Sequence, residues 1–450
     1  MAELKDLTAE IIKMALKAGA EAADCVAYDS KEFNVTVRLG KVETLKQASS
    51  KKAGLRVFYQ KRSAISYTSD LQPQSLKDFV KQAVSLARVT SKDEFNSLPE
   101  KEFYPDKIPQ LNLYDPKLEK VSAKEMIFLA RRLEDIALKF DKRINNSEGG
   151  NCSSSLITKA LANSSGFADQ YRQSKISINV SPIAESNGKK QTDYWFSTKR
   201  FYDDLDKPEE VGRIAAERVL RRLNPKKIET QEVPVVFDPQ MATNLIGNIF
   251  MAISGIAIYQ KASFLIDKLG QQIASPLVTI VDDPLMIKGL GSKPFDDEGV
   301  KTYSKNVVDK GVLKTYLHNT YTARKLGTKT TGNAARGLSS QPYVGPTNFF
   351  LKAGDSDPKD IIKSVKKGLY LTYMFGFGAN TITGGWSRGS SGIWIEDGKL
   401  TYPVEEITTA STMQEMLKNI EMVGNDLEFR GQTSAPTIKI AKMMVSSAKK

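Results

Sequence analysis

The sequence predicts an α+β protein in which helix/antiparallel-meander/helix units are followed by a mostly β C-terminal domain. Two observations support this class. Before residue 225, segments with helical periodicity twice flank a series of segments with the alternation typical of strands. After residue 225, most of the sequence is typical of strands separated by glycines. The 450 residues, of which 40% are hydrophobic and 26% charged, can bury a sizeable core. We expect an N-terminal α+β domain (1–110), a second α+β unit (111–225) and a β-rich C-terminal domain (226–450).

The first unit opens with an amphipathic helix. Apolar residues recur at helical spacing over residues 4–18 and stop at Gly19. Ser75 and Asp78 have the spacing of a capping box and predict the start of a second helix at 75–88. The proline-containing stretch 89–120 shows little periodicity and predicts a linker. Between the helices, alternating runs predict short strands at 22–29, 32–38, 43–48, 52–59 and 62–68.

The second unit repeats this order. Ser122 and Glu125 form another capping-box pattern, which opens a helix that extends to about Phe140. A helix at 209–223 closes the unit. The repetition hints at an internal duplication, although the sequence identity between the two units is too low to establish one. Strands are predicted near 151–161, 168–181 and 190–200, with a hairpin turn at Asn187-Gly188 between the last two.

The polar segment 224–234, which is bracketed by prolines, predicts a domain boundary. Beyond it, helices are predicted at 241–257, near 358–367 and near 411–420, and the remaining strand sequence predicts a sandwich or a barrel. The 21 residues from Gln240 to Gln260 carry no charge, but their polar side chains and helical periodicity favour a buried helix over a membrane span. The N-terminus shows no signal-peptide core. No membrane association is expected.

Composition restricts the chemistry that this chain can perform. The formal net charge of +13 is spread along the chain without a run of like charges, which disfavours a nucleic-acid partner. Cys25 and Cys152 are the only cysteines, which suits a reducing, cytoplasmic compartment. His318 is the only histidine, so zinc sites that need two imidazoles are excluded. Composition therefore leaves no zinc site of that kind in this chain.

Three local motifs leave alternatives open. Residues Gly385–Gly389 match the G-x-S-x-G nucleophile elbow, but strand sequence follows them and His318 lies upstream, so a stand-alone hydrolase using Ser387 or His318 is only an alternative. The acidic groups at 282–283 and 296–298 could ligate a hard cation, whereas such residues more often cap turns. The glycine-rich run 376–385 forms either tight turns or a place where an extended ligand approaches the backbone closely.

Several segments resemble the TldD/PmbA family, historically called modulators of DNA gyrase. The resemblance covers nearly the whole chain and is carried by Ser263–Asp283, Phe295–Gly299, Gly311–Leu313, Thr322–Gly327, Thr331–Ala334, Thr383–Gly389 and Gly392–Glu396. The family is a two-subunit protease in which one subunit, TldD, carries an HExxxH zinc helix and the other, TldE or PmbA, lacks it. Here the corresponding segment Leu245–Gly255 contains no His, Glu or Asp. The metal-ligand cysteine expected near Val423–Leu427 is absent as well.

The resemblance therefore implies a TldE/PmbA-type subunit that has neither metal ligands nor a cofactor of its own. Such a subunit is inactive alone and pairs with a TldD-like metalloprotease carrying the zinc. It further implies an extended peptide substrate and a homodimer when the chain is alone. A DNA- or gyrase-binding modulator without a protease role is the alternative.

We predict that the peptide lies along Gly384, Gly385, Trp386, Ser387, Arg388 and Gly389. Small residues would allow close backbone approach, Trp386 would provide apolar contact, and Arg388 would hold a carboxylate or carbonyl. The competing interpretation is that the glycines only shape turns and that Trp386 fills the core.

Overall fold

The computed structural model describes residues 3–376 and 378–447, so Phe377 of the glycine-rich run and both chain ends lie outside it. The predicted α+β class is confirmed. The N-terminal elements are α1 (Leu4–Lys17), β1 (Ala22–Arg38), β2 (Lys41–Tyr59), β3 (Arg62–Thr68), α2 (Pro73–Val89), α3 (Ala123–Phe140), β4 (Ile144–Asn163), β5 (Ala168–Ser186), β6 (Lys189–Thr192), β7 (Trp195–Lys199) and α4 (Pro208–Leu220).

The strands of both N-terminal units lie in one sheet with the order β3-β2-β1-β4-β5-β6, in which β7 also pairs with β5. The units meet at the antiparallel pair β1–β4, where Ala27 lies opposite Ala160. Helices α1 and α2 pack on the sheet through residues such as Ile11 and Val80, and α3 packs on it through Leu133. The apolar periodicity of each helix thus faces the sheet, which buries it from water.

Local turn and capping signals were predicted with mixed success. The box at Ser122 and Glu125 is formed, since each residue's side chain accepts a hydrogen bond from the other's backbone N–H. The Asn187-Gly188 turn is confirmed, with φ of 52° and 71°. The capping box predicted at Ser75 is wrong, because α2 begins earlier, at Pro73. The fixed φ of proline suits the first position of a helix.

The short strands predicted between residues 22 and 59 are two long strands. Polar residues at 30–31 and 49–51, which suggested turns, pair across β1 and β2 instead, with Ser30 opposite Ser50. These residues face solvent at least in part, so a polar side chain does not interrupt the strand.

The C-terminal half contains a closed barrel. Its five strands pair in the order β17-β16-β15-β8-β20, and β20 pairs back to β17. A second sheet has the order β11-β10-β9-β14-β19. The elements are β8 (Gln231–Phe237), α5 (Pro239–Ile253), α6 (Gly255–Tyr259), β9 (Ile280–Asp282), β10 (Lys305–Asp309), β11 (Val312–Leu313), α7 (Thr320–Lys325), β12 (Ala334–Ala335), β13 (Tyr343–Val344), β14 (Phe349–Leu351), α8 (Pro358–Lys363), β15 (Lys367–Phe375), β16 (Gly385–Glu396), β17 (Lys399–Thr412), α9 (Met413–Lys418), β18 (Ile420–Val423), β19 (Thr433–Ser434) and β20 (Ile438–Ser447).

The uncharged segment predicted as one helix at 241–257 is two helices, because Ser254 adopts an extended conformation between α5 and α6. Leu245, Ile249 and Ile253 of α5 are buried in the C-terminal core. Within the described residues, no helix has both the length and the apolar character needed to cross a membrane.

Candidate functional site

Helix α5 is the element on which the zinc motif of a TldD-like chain would lie. Its side chains therefore decide whether this chain can bind zinc there. Asp238 caps it by accepting a hydrogen bond from the Met241 amide at 2.9 Å. One face of the helix is buried in the core, while partly exposed polar side chains occupy the rest. These polar groups are the amides and hydroxyl of Gln240, Thr243, Asn244 and Asn248.

The surroundings of α5 do not fit Zn²⁺. A cavity of about 430 Å³ opens at the first turn of the helix, and its acidic lining residues include Asp426 and Glu428. Asp426 already accepts two hydrogen bonds from Thr437, and Glu428 is paired with Arg430. Zinc in proteins is usually held by imidazole or thiolate, which this cavity lacks. Among the described residues, no group of three or more His, Cys, Asp or Glu side chains is arranged to hold a metal ion.

The glycine-rich segment lies directly against α5. The backbone N–H of Ala379 donates to Asn248 Oδ1 at 3.0 Å, and the N–H of Phe264 donates to the carbonyl of Thr381 at 2.9 Å. A Cβ at Gly378 would lie 2.7 Å from Asn248 Oδ1, so a larger residue there would displace the Asn248 side chain. The segment that leads into the predicted peptide site therefore contacts the helix that would carry the zinc motif.

The glycines of the predicted site differ in what they do. Gly384 has a φ of +79°, and a Cβ there would overlap Gln414. A Cβ at Gly389 would overlap the ring of Phe375. These two positions thus need glycine for the turn and the packing alone. At Gly385, by contrast, a Cβ would meet only the Thr383 hydroxyl, at 3.3 Å, which a small shift of that side chain would relieve, and, its chain neighbours aside, no other atom of the described residues lies within 4 Å of it.

The three residues between these glycines have different environments. Trp386 is only 2% exposed and packs in the barrel core, with its ring 6.3 Å from that of Phe237. Ser387 is exposed. The Arg388 guanidinium lies 5.6 Å from the Trp386 ring, and its Nε donates to the carbonyl of Phe375 at 3.4 Å. Trp386 therefore supports Arg388 from the core side.

Arg388 lacks a counter-charge. No carboxylate of residues 3–376 or 378–447 lies within 4.0 Å of it, and burial lowers the pKa of its guanidinium. A guanidinium can donate two parallel hydrogen bonds to a carboxylate or bind carbonyl oxygens. Arg388 is only 7% exposed, so it is a buried cation whose free N–H groups could be used by a ligand that reaches this position.

A short open strand edge runs through the predicted site. Strand β16 pairs with β17 along its whole length, from Gly385 to Glu396, but pairs with β15 only from Gly389 onwards. On the β15 side, the described chain turns away after Phe375 and returns to contact only the Gly385 carbonyl, through the Asn380 N–H. Residues 386–388 therefore have no strand partner on that side in the described part of the chain. Such an edge can pair with an extended peptide.

His318 and Ser387 do not form a catalytic pair. His318 is 5% exposed, and burial lowers its pKa to about 4. It packs against Gly255 and Thr322, and among the described residues nothing hydrogen-bonds its Nδ1. Ser387 lies inside β16, which continues beyond it as a strand, whereas a nucleophile elbow turns into a helix. No hydrogen bond among the described residues joins the two side chains.

The acidic groups singled out in the sequence bond to the protein itself. Asp297 pairs with Lys159 at 2.5 Å and Lys293 at 3.5 Å, and although burial acts to raise its pKa, these lysines outweigh burial and hold it at about 2. Burial and the nearby Glu298 raise the pKa of Asp296 to about 7. Asp282 accepts hydrogen bonds from Lys305, Asn333 and Thr347.

Comparison with known proteins places this architecture in a family. The chain matches models described as PmbA/TldA metallopeptidase domain 1, central domain and C-terminal domain over residues 23–87, 116–223 and 230–447. It is 37% identical to the metalloprotease PmbA of Escherichia coli O157:H7, over 95% of this chain and 92% of that protein.

Solved structures agree over the full length. A modulator of DNA gyrase from Bacteroides thetaiotaomicron superposes with a TM-score of 0.93 at 29% identity, covering 100% of both chains. TldE from Thermococcus kodakarensis shares the fold with a TM-score of 0.88 at 22% identity, covering 98% of this chain and 100% of that one. The chain belongs to the PmbA/TldD metallopeptidase family.

Proposed function

We propose that this chain is the non-catalytic, TldE/PmbA-type subunit of a cytoplasmic complex in which a TldD-like metalloprotease hydrolyses extended peptides. One observation carries the proposal: the family fold is kept from end to end, yet α5 offers only amide, hydroxyl and apolar side chains where imidazoles would be needed. Without such ligands, no water can be activated by zinc on this chain. Hydrolysis is therefore assigned to zinc on the partner. The free, buried thiols of Cys25 and Cys152 suit a reducing compartment.

The contribution of this chain is to hold the peptide. The open edge at residues 386–388 would bind the peptide backbone, the space beside Gly385 would admit it closely, and Arg388 would hold a carbonyl or carboxylate. Backbone hydrogen bonds carry little information about sequence, which suits a protease that acts on varied linear substrates.

Three large apolar side chains on the elements that form or adjoin this site are exposed. The side chain of Met251 on α5 is 56% exposed, and that of Ile382 in the adjoining segment is 61% exposed. Phe375, at the end of β15, is 48% exposed. Exposed apolar side chains grouped near one site favour a protein–protein interface. We propose that another chain covers it, a second copy when the protein is alone and the TldD-like subunit in the complex.

Association provides the test of this assignment. Sedimentation should show a dimer of the isolated chain and a mixed complex after a TldD-like subunit is added. Met251→Asp should weaken both associations about tenfold or more, since it introduces an unpaired charge into an apolar interface. Val89→Asp serves as the control, because Val89 is also an exposed apolar residue, at 78%, but lies at the end of α2. A strictly monomeric profile that does not change on mixing would contradict the proposal.

A further inference from the structure

A second cavity lies between the N-terminal sheet and two loops of the C-terminal domain. Its volume is about 420 Å³. The sheet contributes side chains from β1, β4, β5 and β7, among them Tyr28, Ile157 and Tyr171. The facing wall consists of residues 290–293 and 430–432. The cavity thus has the size and the mixture of aromatic, aliphatic and polar walls that small-ligand sites have.

The lining is basic. No Asp or Glu belongs to it among the described residues, whereas five cationic side chains do: Lys159, Lys175, Arg200, Lys293 and Arg430. Lys159 and Lys293 share a single carboxylate, that of Asp297. In the described part of the chain, Lys175 forms no ion pair. Arg430 is paired with Asp206 and Glu428. Within residues 3–376 and 378–447, the cations of the cavity that lack a carboxylate partner are therefore Lys175 and Arg200.

Arg200 is the most unusual of these groups. It is 6% exposed, and its guanidinium donates only to neutral acceptors: the carbonyls of Gly289, Ser174 and Leu290 and the Gln173 Oε1, at 2.7–3.3 Å. No carboxylate of the described residues lies within 4.0 Å of it. Burial lowers its pKa to about 10, which leaves the group charged at neutral pH.

A buried cation without a counter-charge is costly, and an anion that enters the cavity would relieve this cost. Four of the five guanidinium N–H groups of Arg200 are already used, and one on Nη2 remains for a ligand. Lys293 and Lys175 can approach the same anion, because both line the cavity and are long and partly or fully exposed.

We infer that this cavity binds the free α-carboxylate at the C-terminal end of a peptide, an inference that rests on the proposed peptide-binding function. Ile157, Leu290 and the two tyrosines give the walls apolar surface that suits the last side chains of a peptide better than a bare inorganic anion. The cavity is also adjacent to the one at the first turn of α5, because Arg430 and Gly431 line both.

The inference is tested on the full chain without a partner, by calorimetry. The probes are acetyl-trialanine with a free carboxylate, the same peptide with a C-terminal amide, and inorganic phosphate. The free carboxylate should bind at least about tenfold more tightly than the amide, since a charge-assisted hydrogen bond is lost in the amide. Phosphate should compete only weakly.

Lys175→Ala and Lys293→Met should each weaken binding of the free carboxylate by about threefold to tenfold and leave binding of the amide unchanged. Lys190→Ala is the matched control, because Lys190 is an exposed lysine of the same sheet that does not line the cavity. Arg200→Gln should weaken binding of the free carboxylate more than either lysine variant does, provided that the Arg200 variant folds. If it does not fold, the two lysine variants still test the cavity.

Equal binding of acid and amide, or displacement of the peptide by phosphate at equal concentration, would overturn the inference. These results would leave the subunit assignment intact, because no partner is present. Conversely, the chain could fail to assemble with a TldD-like subunit and still bind the free carboxylate more tightly than the amide. That result would overturn the subunit assignment and support the inference about the cavity.

Discussion

Replacing Gly385 with valine should reduce peptide cleavage by the mixed complex at least about 100-fold while folding and assembly remain intact. The backbone of Gly385 does not need glycine, because its φ is not positive and a Cβ would meet only the Thr383 hydroxyl at 3.3 Å. A branched side chain would instead fill the space through which a peptide backbone approaches the strand edge. Displacement of a substrate by about 1 Å can cost about 100-fold in rate. Turnover of a fluorogenic peptide measures the effect.

Arg388→Ala tests the same site through its charge. We expect a similar loss of cleavage, because the variant removes the guanidinium that lacks a protein counter-charge. Gly337→Val is the matched control for the glycine variant, since a Cβ at Gly337 would meet only the Ser340 hydroxyl at 3.5 Å. The site assignment is wrong if the Gly385 and Arg388 variants assemble and cleave normally, or if both fail to fold while Gly337→Val folds.

The second large effect concerns stability. Asp24 on β1 bonds to Arg56 on β2 and to Arg336 of the C-terminal domain, and Arg56 also contacts Glu298 at 3.3 Å. All four side chains are at most 5% exposed. Burial acts to raise the pKa of Asp24, but Arg336 and Arg56 outweigh it and lower the pKa below its usual value. Buried charges thus join the N-terminal sheet to the C-terminal domain.

Asp24→Ala should lower the free energy of unfolding by about 3–5 kcal/mol, because two buried guanidinium groups lose their shared partner. Urea denaturation of the full chain measures this change. Asp135→Ala removes an exposed i,i+4 partner of Lys139 and should change stability by less than about 0.5 kcal/mol. If Asp24→Ala is as mild as this control, the network contributes little to holding the domains together.

Features set by neighbouring residues could be predicted from the sequence. The turn at Asn187-Gly188 follows from residues that tolerate positive φ, and both adopt it, at 52° and 71°. Helix α7 was missed because it is short, yet a signal was present. Asn319 caps it by accepting a hydrogen bond from the Thr322 amide at 2.9 Å.

Features set by residues distant in sequence could not be predicted. The barrel closes through the pairing of β17 with β20, in which Thr409 lies opposite Val445, and no local pattern encodes that register. Within the candidate site, the burial of Trp386 depends on Phe237, far away in sequence. The role proposed for Arg200 could not be predicted from the sequence. Its lack of a nearby carboxylate among the described residues becomes apparent only when the residues that line the cavity are brought together by folding.

The distribution of zinc tests the central claim most directly. Elemental analysis should be made on the isolated chain, on the TldD-like subunit and on their purified complex, each after dialysis. The account predicts no stoichiometric zinc in the isolated chain, one zinc per pair of chains in the complex, and peptidase activity that a chelator abolishes only when the partner is present. One zinc per chain retained by the isolated protein would contradict the assignment of this chain as the non-catalytic subunit.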